Sequence, residues 1–135
     1  MATILAHINV RSGSEARFEE IATELYRSTH STEDNVLRYE YWRGQEAGRY
    51  YTLLAFPDFA GFLTHQTSPH HEHVAAELGK VIETIRLEWL DPIVGAAPLP
   101  PTVAQDVAAD ADELTAMYAK RYAAVIAPWW PARPA

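Results

Sequence analysis

The apolar positions near the start of the chain alternate with polar ones, which predicts a first β-strand over residues 3–10. The spacing then changes to three and four residues, which predicts a helix that starts within residues 12–15, where Ser12 and Glu15 have capping-box spacing. We expect this helix to pack on the sheet through its apolar stripe, which consists of Phe18, Ile21, Ala22 and Leu25.

The middle of the chain carries two aromatic-rich runs that predict a β-hairpin. These runs cover residues 35–43 and 49–56, and the polar residues 45–48 between them form the predicted turn. Another alternating run over residues 85–90 predicts the last strand of the sheet.

Two short helices are predicted between the hairpin and the last strand. The first begins at Pro57 and Asp58, and the second begins at Ser68 and Pro69, because serine caps helices and proline suits their first position. The resulting order, β-α-β-β-α-β, predicts a ferredoxin-like α+β domain over residues 1–95.

Residues 96–135 are predicted to form an extension of a different kind. It starts with a proline-rich stretch that is typical of a stiff linker, and the apolar spacing that follows predicts an amphipathic helix over residues 102–127. Trp129 and Trp130 come next. We expect this pair either to close the mouth of a substrate pocket or to clasp a second subunit.

Composition and charge narrow the possible classes of function. The chain has 135 residues and a net charge of −7, from 11 Lys and Arg against 18 Asp and Glu, which disfavours nucleic-acid binding. The absence of cysteine excludes disulfides and thiolate nucleophiles and is typical of a reducing compartment. Because no window approaches the roughly 18 apolar residues of a membrane span, we expect a cytoplasmic protein without membrane contact.

The predicted sheet has helices on one face only, so its other face would carry exposed aromatic side chains. Two such faces packed together would bury them. We therefore predict a homodimer with a pocket between the sheet and the helices of each subunit. The alternation does not decide whether that pocket is lined by the faces that bear Arg38, Trp42 and Tyr51 or by the opposite ones.

Three of the six histidines, His70, His71 and His73, fall in the helix predicted from Pro69, with His70 and His71 in its first turn and His73 on its polar face. The positive end of the helix dipole disfavours protonation there and leaves a neutral imidazole able to act as a base or donor. His70 and His71 continue the apolar stripe, so His70 is the first choice for a catalytic base and His71 the second. The alternative is a buried histidine that only binds a backbone carbonyl.

Further polar residues are candidates for the same pocket. His65 ends the preceding helix and either points into the cavity or lies exposed at the helix C-terminus. His7 and Asn9 lie opposite the aliphatic face of the first strand and would face either the pocket or the dimer interface. No metal site is predicted, because His71 and His73 point apart and no cysteine or carboxylate pair completes a ligand set.

The H-x-x-S-P-H element from His65 to His70, the first strand with the Arg11-Ser12-Gly13 segment after it, and the aromatic hairpin resemble the antibiotic biosynthesis monooxygenase family. The resemblance covers residues 1–95 and implies a dimeric α+β barrel. Some members of that family oxidise phenols or quinols with O₂ and neither metal nor flavin, some isomerise their substrates, and some bind or degrade haem. The resemblance therefore implies a fold more directly than a reaction.

The resemblance also implies a substrate-binding set, matched by residue type only: Asn9, Trp42, Tyr51 and Arg86. The leading hypothesis is a cofactor-independent enzyme that acts on a small aromatic, phenolic or polyketide-like molecule. A neutral histidine would remove a proton, the anion would react with O₂, and an arginine such as Arg38 would stabilise the oxyanion.

Three alternatives remain open. The first is an isomerase or lyase that uses the same histidine chemistry without O₂. The second is a haem-binding or haem-degrading protein with His70 or His65 as the axial ligand. The third is a dimeric binding module without catalytic activity.

Overall fold

A four-stranded antiparallel sheet forms the centre of the computed structural model, which describes residues 2–93, 103 and 105–125. The spatial order of the strands is β2-β3-β1-β4, and every neighbouring pair is antiparallel. The predicted hairpin is confirmed, although β2 begins three residues later than expected and β4 three residues earlier. The strands are β1 (Ala2–Val10), β2 (Arg38–Arg43), β3 (Arg49–Phe56) and β4 (Ile82–Trp89).

The order of elements along the chain is β1-α1-β2-β3-α2-α3-β4-α4, which confirms the ferredoxin-like α+β fold. Within the described ranges, none of the helices combines the length and the apolar character that a membrane span requires. The helices are α1 (Glu15–Thr32), α2 (Phe59–Gln66), α3 (Pro69–Val81) and α4 (Glu113–Arg121).

The predicted starts of α2 and α3 are confirmed. Asp58 caps α2 by accepting a hydrogen bond from the Gly61 N–H at 2.7 Å, and Ser68 caps α3 with Pro69 at its first position. The capping box predicted for α1 is wrong. Gly13 adopts a φ of 87°, so the chain turns there and the helix begins at Glu15, whose own carboxylate accepts the Gly13 N–H at 2.8 Å.

The core lies between one face of the sheet and the helices. The aliphatic face of β1 is fully buried, as predicted, and packs on the apolar stripe of α1. Tyr39, Tyr41 and Tyr50 also point towards the helices. Of the large aromatic residues on the described strands, only Trp42 and Tyr51 remain on the open face, so that face is less aromatic than the sequence suggested.

The C-terminal extension differs from its prediction. The helix predicted over residues 102–127 is confined to Glu113–Arg121, because Asp112 caps it by accepting the Thr115 N–H at 2.7 Å. Upstream of the cap, the Gln105 side chain accepts a hydrogen bond from Ala60 N–H at 3.2 Å and attaches the segment to α2. Trp129 and Trp130 lie outside the described residues, and the proposed division at residue 95 stays a prediction.

Candidate functional site

A cavity of about 370 Å³ lies between the helix-facing side of the sheet and helices α1, α2, α3 and α4. Its position agrees with the pocket predicted between sheet and helices. Most of its wall is aliphatic or aromatic, which suits an apolar ligand that carries a few polar groups. The polar side chains on the wall that matter for the chemistry are Tyr39, Tyr41, Thr52, His65, His71 and Arg121.

Only two of the three histidines that were predicted to be catalytic line the cavity. His65 and His71 line the cavity, whereas His70 lies beside it and is absent from its wall. His65 is 1% exposed, which decides between its two predicted placements in favour of the interior. The preference for His70 over His71 is therefore not supported by their positions relative to the cavity.

A carboxylate that the sequence analysis did not single out joins two of these histidines. Glu33 accepts a hydrogen bond from His65 Nδ1 at 3.0 Å and another from His70 Nε2 at 2.6 Å. Burial raises the pKa of Glu33, but the hydrogen bonds and charges of His65 and His70 outweigh it and hold this pKa below its usual value. Glu33 is therefore ionised at neutral pH and accepts both N–H groups.

Glu33 reaches the histidines because it is the C-cap of α1, where this helix meets the junction of α2 and α3. The contact spans 32 and 37 residues of sequence, so no local pattern reports it. One physical signal could have found it. A carboxylate at the negative end of a helix dipole is electrostatically unfavourable, so a glutamate there indicates a compensating partner elsewhere.

Glu33, His65 and His70 also have the composition of a metal site. Their candidate ligand atoms all lie within 4.8 Å of one another in the described part of the chain. However, the glutamate oxygen lies 3.0 Å and 2.6 Å from the two ring nitrogens. Ligands about 2.0–2.2 Å from a tetrahedral zinc ion lie roughly 3.3 Å apart. The shorter separations are those of hydrogen bonds, and we interpret the cluster as a carboxylate held between two imidazole donors.

His71 is the second histidine on the cavity wall, and it is neutral at pH 7. Burial, and then the neighbouring His65, lower its pKa from 6.5 to about 4. Its Nδ1 is buried without a hydrogen-bond partner among the described residues, since the nearest carboxylate oxygen, on Glu72, is 3.6 Å away. The Thr52 hydroxyl is the other buried side-chain polar atom in the described ranges that lacks a partner, and Thr52 lines the same cavity.

Two tyrosines supply further hydroxyl groups to the wall. The hydroxyls of Tyr39 and Tyr41 are hydrogen-bonded to each other at 2.8 Å. Burial raises the pKa of Tyr41 to about 12 and raises the pKa of Tyr39 well above its usual value. Both phenols therefore stay protonated at neutral pH and act as neutral hydrogen-bonding groups.

The residues predicted to bind substrate lie on the other side of the sheet. The strand register places Trp42, Tyr51, His7 and Arg86 in one row across the open face. Strand alternation also puts Asn9 and Arg38 on this face, so the sheet separates all six residues from the cavity. Most of these side chains bind their neighbours: His7 and Arg86 contact Glu88 at 2.7 and 3.4 Å, Asn9 donates to Thr84 at 2.7 Å, and Arg38 pairs with Glu40 at 3.2 Å.

A model of a known protein family matches the N-terminal part of the chain. The family model described as "antibiotic biosynthesis monooxygenase" matches residues 1–77, which span β1 to most of α3. No curated protein matches the chain at a significant level.

Solved structures share the fold. A Caulobacter crescentus protein described provisionally as an antibiotic biosynthesis monooxygenase is 22% identical, with a TM-score of 0.64, over 67% of this chain and 88% of its own. A Bacteroides thetaiotaomicron protein with the same provisional description is 15% identical, with a TM-score of 0.67, over 73% and 94%. Rv0793 of Mycobacterium tuberculosis is 16% identical, with a TM-score of 0.64, over 71% and 98%. At these identities the likeness establishes the fold alone.

Proposed function

Since the chain belongs to the antibiotic biosynthesis monooxygenase family, we propose that it oxygenates a small aromatic hydroxyl compound with O₂ and uses no metal or organic cofactor. The observation that carries this proposal is the place of His65 in the wall of an aromatic cavity, with the Glu33 carboxylate 3.0 Å from its Nδ1. A carboxylate behind a histidine is the usual arrangement for a histidine that removes a proton.

His65 is the general base in this proposal. Because Glu33 accepts the Nδ1–H of His65, the lone pair of the imidazole lies on Nε2, which takes the proton from the bound hydroxyl group. The carboxylate then stabilises the imidazolium that forms. His70 donates to the same carboxylate and fixes its position. Glu33 and His70 are thus positioning residues, and the base moves from His70, the first choice of the sequence analysis, to His65.

The reaction is balanced without an external reductant. The phenolate formed by His65 supplies electrons to O₂, and a C–O bond forms at a ring carbon. Loss of the C–H proton from that carbon then breaks the O–O bond. One oxygen atom stays on the ring as a carbonyl and the other leaves as water, so that a phenol and O₂ give a quinone and H₂O.

The neutral polar groups of the cavity suit a hydroxyl group that becomes an anion. Thr52 and His71 each present a buried polar atom that has no partner among the described residues, and the hydroxyl or carbonyl groups of the ligand would supply these partners. Tyr39 and Tyr41 stay protonated and line the same cavity. Neutral donors of this kind stabilise a developing phenolate.

The test is the incorporation of ¹⁸O from ¹⁸O₂ into the quinone formed from a panel of naphthols and hydroxyanthracenes, with 1-naphthol as the first probe. We expect one labelled atom per quinone. His65→Gln and Glu33→Gln should each lower kcat by about 100-fold or more. The control is His73→Gln, since His73 is an exposed histidine of α3, and this variant should keep the full rate.

Three kinds of outcome would contradict the proposal. Quinone without label, or no product from any member of the panel, would exclude oxygenation of phenols. Turnover that persists without O₂ would replace oxygenation with isomerisation or bond cleavage by the same histidine. A His65→Gln variant that is folded and fully active would remove His65 from the mechanism.

We also propose that the protein is a homodimer in which the open faces of two sheets pack together. Trp42 is 58% exposed on this face, and Tyr51 lies beside it in the register. Sedimentation should give twice the 15.1 kDa of one chain. Trp42→Glu should produce monomers, whereas Tyr26→Glu, at a tyrosine 47% exposed on α1, should stay dimeric. A monomeric wild-type protein, or a dimeric Trp42→Glu variant, would contradict this arrangement.

A further inference from the structure

The C-terminal helix α4 forms part of the cavity wall through one of its faces. Tyr118, Arg121 and Tyr122 are spaced at helical intervals and all three line the cavity. Tyr118 is 6% exposed, and its hydroxyl donates to the Glu72 carboxylate of α3 at 2.6 Å. Tyr122 packs edge-on against Phe62, with 6.3 Å between ring centroids. These contacts fix the helix on the domain, so Arg121 has a defined place at the cavity.

Arg121 is the only arginine or lysine among the described residues that line the cavity. Its guanidinium carbon lies 5.9 Å from the Tyr118 ring centre and 6.0 Å from that of Tyr122, which orients the head group. No carboxylate in the described ranges lies within the 4.0 Å of an ion pair with it. Arginines that pair with glutamates elsewhere on the molecule are Arg17, Arg38, Arg43, Arg49 and Arg86.

The Arg121 guanidinium has no carboxylate partner among the described residues, and it therefore favours a ligand that carries a negative charge. The chain carries 18 acidic residues against 11 basic ones, so an anionic ligand meets an unfavourable overall charge unless a local cation binds it. Glu83, the one carboxylate on the cavity wall within the described residues, is exposed at the start of β4. A guanidinium that lies near two aromatic rings and has no carboxylate partner among the described residues is suited to bidentate binding of a carboxylate.

We propose that Arg121 binds a carboxylate of the substrate, which makes the substrate a hydroxylated aromatic acid. The reacting hydroxyl group of the substrate lies at His65, the aromatic body lies along the apolar wall, and the acid group lies at Arg121. This inference rests on the proposed function for the identity of the reacting hydroxyl group. It adds the class of substrate and the residue that selects it.

The residue inferred to bind the substrate carboxylate lies in the C-terminal extension and not in the part of the chain that the family model matches. The family model ends at residue 77, and Arg121 lies 44 residues beyond it. The three related structures are matched over 88–98% of their own lengths but over only 67–73% of this chain. Roughly a quarter to a third of this chain therefore has no counterpart in them, and α4 lies outside the family match.

The test is anaerobic calorimetry of the full chain with 6-hydroxy-2-naphthoic acid and its methyl ester, which have nearly the same shape and differ in charge. The wild-type protein should bind the acid about tenfold more tightly than the ester. Arg121→Gln should lose this preference and keep its affinity for the ester, and Arg121→Lys should recover part of it. Lys120→Gln is the control, because Lys120 is exposed like Arg121 and has the same charge but lies outside the cavity wall.

Equal binding of acid and ester by the wild-type protein would overturn the proposal, as would failure of both probes to bind. An Arg121→Gln variant that weakens both probes equally would show that Arg121 only supports the wall. Because the experiment excludes O₂, it measures binding without turnover. Preference for the acid without ¹⁸O incorporation would contradict the proposed reaction and leave the role of Arg121 intact. Labelled quinone without preference for the acid would contradict the role of Arg121 and leave the proposed reaction intact.

Discussion

His71 should make the stability of the protein depend on pH between about 7 and 4. The unfolded chain binds a proton at His71 near the ordinary pKa of 6.5, whereas the folded protein does so only near about 4, because burial disfavours the imidazolium. As the pH falls through this range, the unfolded state takes up a proton that the folded state does not. The free energy of unfolding therefore decreases with decreasing pH until both states are protonated.

The size of this effect follows from the two pKa values. At 1.36 kcal/mol for each unit, the separation between 6.5 and about 4 corresponds to about 3 kcal/mol when the titration is complete. At pH 5 the unfolded state is almost fully protonated and the folded state is still largely neutral, so the expected loss there is about 2 kcal/mol. Nearly all of this loss should disappear when His71 is replaced by glutamine, which does not titrate.

The assay is urea unfolding followed by tryptophan fluorescence at one protein concentration, at pH 7.5 and pH 5. The difference in free energy of unfolding between the wild-type protein and His71→Gln should change by about 2 kcal/mol between the two pH values. His73→Gln removes an exposed histidine of the same helix, so its difference from the wild type should be the same at both pH values. A wild-type to His71→Gln difference that stays constant within about 0.5 kcal/mol would refute the argument that burial keeps His71 neutral.

Three further predictions test the site and the fold. Thr52→Val should leave the free energy of unfolding unchanged or raise it by up to about 1 kcal/mol, because the buried hydroxyl has no partner among the described residues; a loss in urea unfolding would reveal a missed hydrogen bond. Gly48→Ala should cost about 1–2 kcal/mol, since Gly48 has a φ of 77° and the new Cβ would lie 3.1 Å from the Val10 carbonyl oxygen. Gly79→Ala is its control, because the new Cβ meets nothing within 4 Å, and it should raise helix stability by about 0.5–1 kcal/mol. Dialysis against EDTA should leave turnover of 1-naphthol unchanged, and loss of activity that Zn²⁺ or Fe²⁺ restores would make the cluster around Glu33 a metal site.

The sequence by itself determined the order of elements and most of their boundaries. Period-two alternation in β1 and β3 and the cap residues Asp58 and Ser68 are local signals, and each corresponds to a local structure. Where the local signal was ambiguous, the prediction failed. The capping box expected at Ser12 does not form because the chain turns at Gly13, and the long helix predicted after residue 102 is shortened because Asp112 caps it.

Only the tertiary structure decided which polar residues form the site. Strand alternation identified two faces, but the side on which α1 and α3 pack decided that Tyr39, Tyr41 and Thr52 line the cavity. The same choice placed His7 and Trp42 on the open face.

The contacts that give the histidines different roles are also tertiary. Glu33, distant in sequence, accepts the Nδ1–H of His65, and α4 brings Arg121 to the cavity. Local pattern determines helices and strands because these depend on neighbouring residues. The site depends on side chains that chain folding brings together over 32 residues or more, and no local period records such contacts.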